Sequence, residues 1–330
     1  VNSPILVTGG AGFVGSHLVA RLLESGARVR CLVRRSSSLG RLPGGQVELA
    51  YGDLAAGDGI RQALDGVDTV FHVAGTTKAL SSAEYYRGNL EATRKLLRAC
   101  EERGAPLPRL IHVSSLAAAG PSPDARGLSE DAEPRPLSHY GKSKLAAECA
   151  VRDSALGSSA VIVRPPVVYG PGDTDVLEVF RSVSRGLMLR IGRGESLFSF
   201  IYASDLAEAL LAAALCPGAA GETFFAASAE PVSWLQFGAQ AAAAMNRRFR
   251  TIAAPAALAF AAAWGAEIVS KWRGTPGILS RDKVREARCR YWVCQTSRAR
   301  ERLSFTARTS LQDGIRNTLS WYRNAGWLTF

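Results

Sequence analysis

The stretch Thr8-Gly9-Gly10-Ala11-Gly12-Phe13-Val14-Gly15-Ser16-His17 decides how this chain folds. It follows the apolar run Ile5-Leu6-Val7, which reads as a buried strand. It precedes Ser16 to Glu24, where Leu18, Val19, Leu22 and Leu23 recur at helical spacing. The glycines therefore occupy a strand-to-helix turn. A dinucleotide pyrophosphate can rest there on the first helix amides, at the positive end of the helix dipole. Gly9 permits the tight turn, Gly12 lets backbone approach phosphate, and Gly15 lets the helix pack on the strand. A glycine trio alone also describes a turn that binds nothing. The strand before it and the helix after it favour the phosphate-binding reading, with Phe13 and Val14 among the contacts.

Outward from this turn, strands and helices alternate. Gly26 closes the first helix, and Val29 to Val33 reads as the second strand. Val47 to Tyr51 is a third, ending at Gly52-Asp53-Leu54, with a short helix around Gly59 to Leu64. Thr69 to Val73 is strand four and Ala83 to Arg103 a long helix. Leu110 to Ser114 is strand five, Pro121 to Pro136 an irregular loop, Ser138 to Ala155 another long helix, and Val161 to Arg164 strand six. The strands are short apolar runs without strict alternation, as expected when helices cover both faces. The expected fold is α/β: a doubly wound parallel sheet of Rossmann type. Beyond residue 170 the alternation loosens, with Ala-rich segments at 207–220 and 239–266. We expect a dinucleotide-binding domain over 1–170 and a smaller, mostly helical substrate lobe over 171–330, some of whose segments return to the sheet.

Composition narrows the function classes. The chain has 330 residues, 47% of them hydrophobic, enough for a large core. A formal charge of +11 suits nucleic acid, an acidic membrane or an anionic cofactor. No helix-turn-helix, zinc-finger spacing or RNA-binding aromatic motif is visible, so nucleic acid is not expected as a partner. Cysteines at 31, 100, 149, 216, 289 and 294 are scattered, and neither a metal site nor a disulfide framework is expected. No signal peptide is apparent and no apolar run reaches about 18 residues, so a cytoplasmic location is the expectation.

The strongest chemical signal is Tyr140-Gly141-Lys142-Ser143-Lys144. Tyr140 and Lys144 are four apart and share a helix face. A phenol titrates near 10, too high for proton transfer at neutral pH. A nearby ammonium, helped by the positive ring of an oxidised nicotinamide, lowers that value. Strand five ends at Ser114-Ser115, and Ser115 lies 25 residues before Tyr140. A hydroxyl at a strand's carboxyl end can hold a substrate carbonyl while Tyr140 moves the proton.

Together these segments resemble an extended short-chain dehydrogenase/reductase, of the NAD-dependent epimerase/dehydratase superfamily, over nearly the whole chain. The resemblance assigns the catalytic hydroxyl to Ser115, because Gly120 follows it by five residues. It places Asp53-Leu54 at the adenine and Val73-Ala74-Gly75 along the cofactor, with Val113 at the end of strand five. It makes Asn89 a supporting residue of the active site. Arg164-Pro165-Pro166-Val167-Val168-Tyr169-Gly170-Pro171-Gly172 matches the segment lining the nicotinamide, with Pro165, Val167 and Val168 as contacts. Phe200-Ile201-Tyr202-Ala203-Ser204-Asp205 resembles the family's aromatic-to-Asp segment in the substrate lobe.

An acidic residue usually ends strand two in an NAD site. Here Val33 is followed by Arg34 and Arg35, and guanidinium suits a 2′-phosphate. NADP is the expected cofactor, with NAD the alternative. Sugar-nucleotide enzymes of the family carry an arginine in Gly-x-Gly-x-x-x-Arg-x-Phe to hold a diphosphate. In Gly192-Arg193-Gly194-Glu195-Ser196-Leu197-Phe198-Ser199-Phe200 that position is Phe198, though Arg193 or Arg190 can substitute. Glu267 to Gly274, Leu279 to Val284 and Trp321 to Leu328 are similar to the 3β-hydroxysteroid dehydrogenase-like group. The resemblance thus implies alcohol/ketone chemistry on an apolar steroid-like, terpenoid or long-chain substrate. The rivals are a sugar-nucleotide epimerase/dehydratase and a non-enzymatic NADP-sensing protein. Leu116 after Ser115 disfavours the dehydratase, and the retained Tyr/Lys pair disfavours the sensor.

The segment 254–272 reads in two ways, as a core or lid helix or as an amphipathic helix in peripheral membrane contact. The helices at 83–103 and 138–155 are those the family pairs into a homodimer.

Overall fold

The computed structural model describes residues 3–191, 195–277 and 279–330, so Gly192-Arg193-Gly194 lie outside the described residues. Six strands come from the first half: β1 (Ile5–Thr8), β2 (Val29–Val33), β3 (Glu48–Tyr51), β4 (Thr69–His72), β5 (Arg109–Val113) and β6 (Val161–Arg164). They pair in parallel, with Ile5 level with both Val29 and Thr69. A seventh strand, Thr223–Phe225, joins the edge beside β6. The sheet order is therefore Thr223–Phe225, β6, β5, β4, β1, β2, β3. Strand order reverses between β1 and β4, and the crevice at their carboxyl ends is where such sheets bind ligands.

Period-two side-chain alternation builds two cores from each strand. Leu6 and Val7 are both fully buried, in different layers. Val7 packs with α1 (Phe13–Glu24) and helix Ala203–Leu215. Leu6 packs with α2 (Ile60–Ala63), with α4 (Ala92–Glu102) and with Val151. The long helix expected over 83–103 is three pieces: α3 (Ser82–Tyr86), a π-helical turn at Arg87–Glu91, then α4. Short helix α5 (Leu116–Ala119) follows β5, and α6 (His139–Arg152) is capped by Ser138, whose hydroxyl accepts from Gly141 N. α6 ends three residues earlier than its sequence pattern.

The second half builds an aromatic core around Tyr169, Phe180, Phe200, Phe237 and Tyr322. Besides helices it holds three small sheets among the described residues. One joins Val167–Tyr169 to Phe200–Tyr202, so it spans the boundary drawn at residue 170.

Candidate active site

The glycine turn is shaped by steric need. Gly9 has φ +73°, and a Cβ there would come within 2.6 Å of Ala74 N. A Cβ on Gly15 would overlap the Gly9 carbonyl, so only glycine lets α1 rise directly off the turn. Gly12 N donates to Gly9 O at 2.9 Å, and no side chain caps the first turn of α1. Gly12 N is thus spent within the turn, and the uncapped amides that follow it, with Phe13 and Val14 on the cavity wall, are donors that fit a pyrophosphate. Arg34 and Arg35 are exposed just past β2, and the Arg35 guanidinium lies 5.5 Å from the Tyr51 ring centroid. Asp53 sits one strand over, at the end of β3, with its carboxylate accepting from Ala55 N at 2.8 Å. Thus the end of β2 carries two cations and no acid.

Val73, Ala74 and Gly75 continue β4 along the crevice. Val73 N donates to Thr8 O, and Ala74 N donates to Thr8 Oγ1. Gly75 brings two predicted residues together: its missing Cβ would stand 3.0 Å from Asn89 Oδ1 and 3.5 Å from Lys144 Nζ. Asn89 is buried on the π-helical turn. It accepts from Thr76 N at 2.7 Å and donates to Ser143 Oγ at 2.8 Å. It therefore ties the end of β4 to α6, between Tyr140 and Lys144. The extra residue of a π turn is a frequent device at functional sites.

Tyr140 stands in the first turn of α6 and is hydrogen-bonded to Ser115, the N-cap of α5. Ser115 Oγ also accepts from Ala117 N at 3.1 Å. Its neighbour Ser114 is buried and donates to Glu148 Oε1 at 2.5 Å. The two serines of the pair are thus separated, one facing Tyr140 and one spent on structure. Lys144 is buried with Nζ donating to Val113 O at 2.6 Å. Pro165, Val167 and Val168 line the same cavity.

Burial holds the Tyr140 phenol above the ordinary tyrosine value, opposed by the Ser115 hydrogen bond and the Lys283 ammonium. Lys144 does not offset this; burial lowers it to about 8, with Glu148 pulling the other way. In the protein alone, then, Tyr140 is a protonated phenol at neutral pH.

Sequence reasoning missed several members of the site. Glu148 takes a two-point pair from Arg164, at 2.8 and 2.6 Å, with both side chains buried. Its signal was available as the i, i+4 ladder Lys144, Glu148, Arg152 on α6. Helix Arg281–Ala287 was read only as a family likeness. Asp282 in its first turn accepts from His139 N at 2.9 Å, which docks this helix onto the start of α6. Lys283 beside it lines the cavity and bonds Glu286 at 3.1 Å. His72 and His112 are fully buried beneath the crevice. Burial pushes His72 down to about 3 while Thr8 and Thr93 hydroxyls hold its ring.

The crevice opens into a cavity of about 790 Å³ that includes Ser115, Tyr140 and Lys144. A hollow of about 400 Å³ adjoins it, and Phe198, Trp234 and Val179 face both. Phe198, the residue in place of the diphosphate-binding arginine, packs on Trp234 with ring centroids 5.3 Å apart.

Residues 5–225 match the NAD dependent epimerase/dehydratase family, two thirds of the chain. The chain belongs to this family. It is an NAD(P)-dependent oxidoreductase of the extended short-chain dehydrogenase/reductase type. Among its relatives is a ceramide reductase of Caulobacter vibrioides, 33% identical over 98% of this chain and 96% of the relative. A 3 beta-hydroxysteroid dehydrogenase/Delta 5-->4-isomerase of Mycobacterium tuberculosis is 31% identical over 74% of this chain and 70% of that one. The crystal structure of MoeE5 with UDP-glucuronic acid and NAD superposes with a TM-score of 0.77. It is 28% identical, over 98% of this chain and 99% of that one.

Proposed function

We propose that this family enzyme interconverts a ketone and a secondary alcohol on an apolar, long-chain lipid, using NADP. The observation that carries the substrate class is the Phe198–Trp234 pair beside the Tyr140 cavity. An aromatic wall there rewards an apolar chain and offers nothing to a diphosphate. The adjoining hollow extends the space beyond Phe198 and Trp234 past Met188, Leu189 and Leu235, with Arg190 and Glu178 also in its lining. The near full-length likeness to a ceramide reductase supports the same class.

Gly9, Gly12, Phe13, Val14 and Gly15 would hold the pyrophosphate, with Asp53 and Leu54 toward the adenine. Arg34 and Arg35 would take a 2′-phosphate, and Val73 to Gly75, Val113, Pro165, Val167 and Val168 would flank the nicotinamide half. The bound cofactor supplies hydride at nicotinamide C4. In reduction, hydride from the bound cofactor would leave the substrate's carbonyl oxygen carrying charge and in need of a proton. Tyr140 donates its phenolic proton to that oxygen, and Ser115 hydrogen-bonds it. A phenol held protonated by burial suits this direction. The Lys283 ammonium then stabilises the phenolate left behind, and Lys144, held beside Gly75, would hydrogen-bond the nicotinamide ribose. Asn89 keeps α6 in register with the end of β4.

The test is a cofactor-consumption assay with NADPH and a long-chain 3-oxo amide, run beside UDP-glucose and UDP-glucuronic acid. Stoichiometric NADPH loss with the oxo-lipid is expected. Interconversion of a UDP-sugar without net cofactor change would replace this reading with the epimerase.

A further inference from the structure

Helix Ala256–Arg273 packs on the protein through two alanines and the half-buried Phe260 and turns its other large apolar residues away from it. Ala259 and Ala263, one turn apart, are buried and cluster with Val284 of helix Arg281–Ala287. The opposite face carries Leu258 and, linked by i+3 and i+4 spacings, Trp264, Ile268, Val269 and Trp272, all exposed. Trp264 is 58% and Trp272 87% exposed. This inverts the ordinary arrangement of a surface helix, whose large apolar residues face inward. The adjoining ribbon repeats the inversion: Ile252 on strand Arg250–Ala254 pairs with Leu189, and both are exposed.

Charge identifies what covers this face. The one acid on the helix, Glu267, is engaged by Arg281 through its backbone N at 2.7 Å and its Nε at 2.8 Å. Cations stand at both ends of the apolar run. Arg247, Arg248 and Arg250 precede it and Lys271 and Arg273 close it, all exposed. An apolar face with cationic flanks, on a helix not long and apolar enough to cross a bilayer, matches a helix lying in the interface of an anionic membrane.

The same unit walls the active-site cavity. The segment after the helix contributes Gly277 and Leu279 to the lining, and helix Arg281–Ala287 beneath it contributes Lys283 and Val284. We infer that helix Ala256–Arg273 seats this enzyme on an anionic phospholipid surface, with the cavity wall next to the bilayer. The inference stands on the helix itself and holds whatever substrate the cavity takes.

Co-sedimentation of the full chain decides it, with pure phosphatidylcholine vesicles and with mixed phosphatidylcholine/phosphatidylglycerol vesicles at low salt. Pelleting with the mixed vesicles is expected, about tenfold stronger than with the neutral ones. Trp264→Ser with Trp272→Ser should abolish it while thermal unfolding stays unchanged. Arg247→Gln with Arg248→Gln should weaken only the preference for anionic lipid. Absence of pelleting with mixed vesicles overturns the inference, as does pelleting that survives the tryptophan changes. A dimer in light scattering that the tryptophan changes split would assign the face to a second copy of the chain and overturn it too.

Discussion

Tyr140 and Lys144 lie one helical turn apart, yet different partners hold them. Tyr140 bonds Ser115, whereas Lys144 bonds the Val113 carbonyl beside Gly75. Removing the phenol should therefore affect chemistry and spare cofactor binding. Tyr140→Phe is expected to lower kcat by about 10²–10⁴-fold with NADP affinity unchanged, as read by turnover and by titration calorimetry. Lys144 gives a stability signature. Its folded value of about 8 lies below the ordinary 10.5. Between those values the unfolded chain holds more protons, so stability rises with pH across that window. Relative to Lys144→Met, unfolding free energy should climb by about 3 kcal/mol from pH 8 to 10.5 in denaturant titrations. Arg34→Asp should shift the NADP-to-NAD preference by about tenfold or more, since it would remove the charge-assisted contact proposed for the 2′-phosphate and add repulsion. A preference that stays fixed would assign the 2′-phosphate to other residues.

At the scale of elements, the site depends on how three pieces meet. The turn after β1 leaves no room for a side chain at Gly15. Gly15→Ala is expected to displace α1, costing about 1–3 kcal/mol and at least about tenfold in NADP affinity, measurable by thermal unfolding with and without cofactor. α6 is locked to the sheet by the buried Glu148–Arg164 pair. Arg164→Met leaves the buried Glu148 carboxylate with only Ser114 and the half-exposed Arg152 as partners and should destabilise by about 2–4 kcal/mol. Glu148→Leu on top of it should recover a substantial part, which a double-mutant cycle would show. The glycine turn, β2 and the helical Tyr-to-Lys spacing were legible in sequence because local sterics and period specify them. The π turn at Arg87–Glu91 was not. The periodicity of 83–103 continues across it, and it exists to aim Asn89 at Thr76 and Ser143, which are distant in sequence.

Across the whole molecule, the sheet and the substrate lobe interlock. Strand Thr223–Phe225 returns to complete the sheet, and strand Phe200–Tyr202 borrows its partner from before residue 170. Family, fold class, the glycine turn and the helical Tyr140-to-Lys144 spacing were determined by sequence alone, because the motifs that carry them have fixed steric or helical relations. Only the tertiary structure decided the rest. It gave Ser114, the neighbour of Ser115, to Glu148, since neighbours at a strand end face opposite ways. It raised the Tyr140 phenol, because desolvation depends on what packs around a group and not on its own spacing. It also set Lys283 in the cavity wall and turned Trp264 and Trp272 outward, which follows from the docking of Asp282 on α6 and of Ala259 and Ala263 against Val284. The glycine turn from Thr8 to His17 is set by local sterics; the outward face of helix Ala256–Arg273 is set by contacts between segments far apart in the chain.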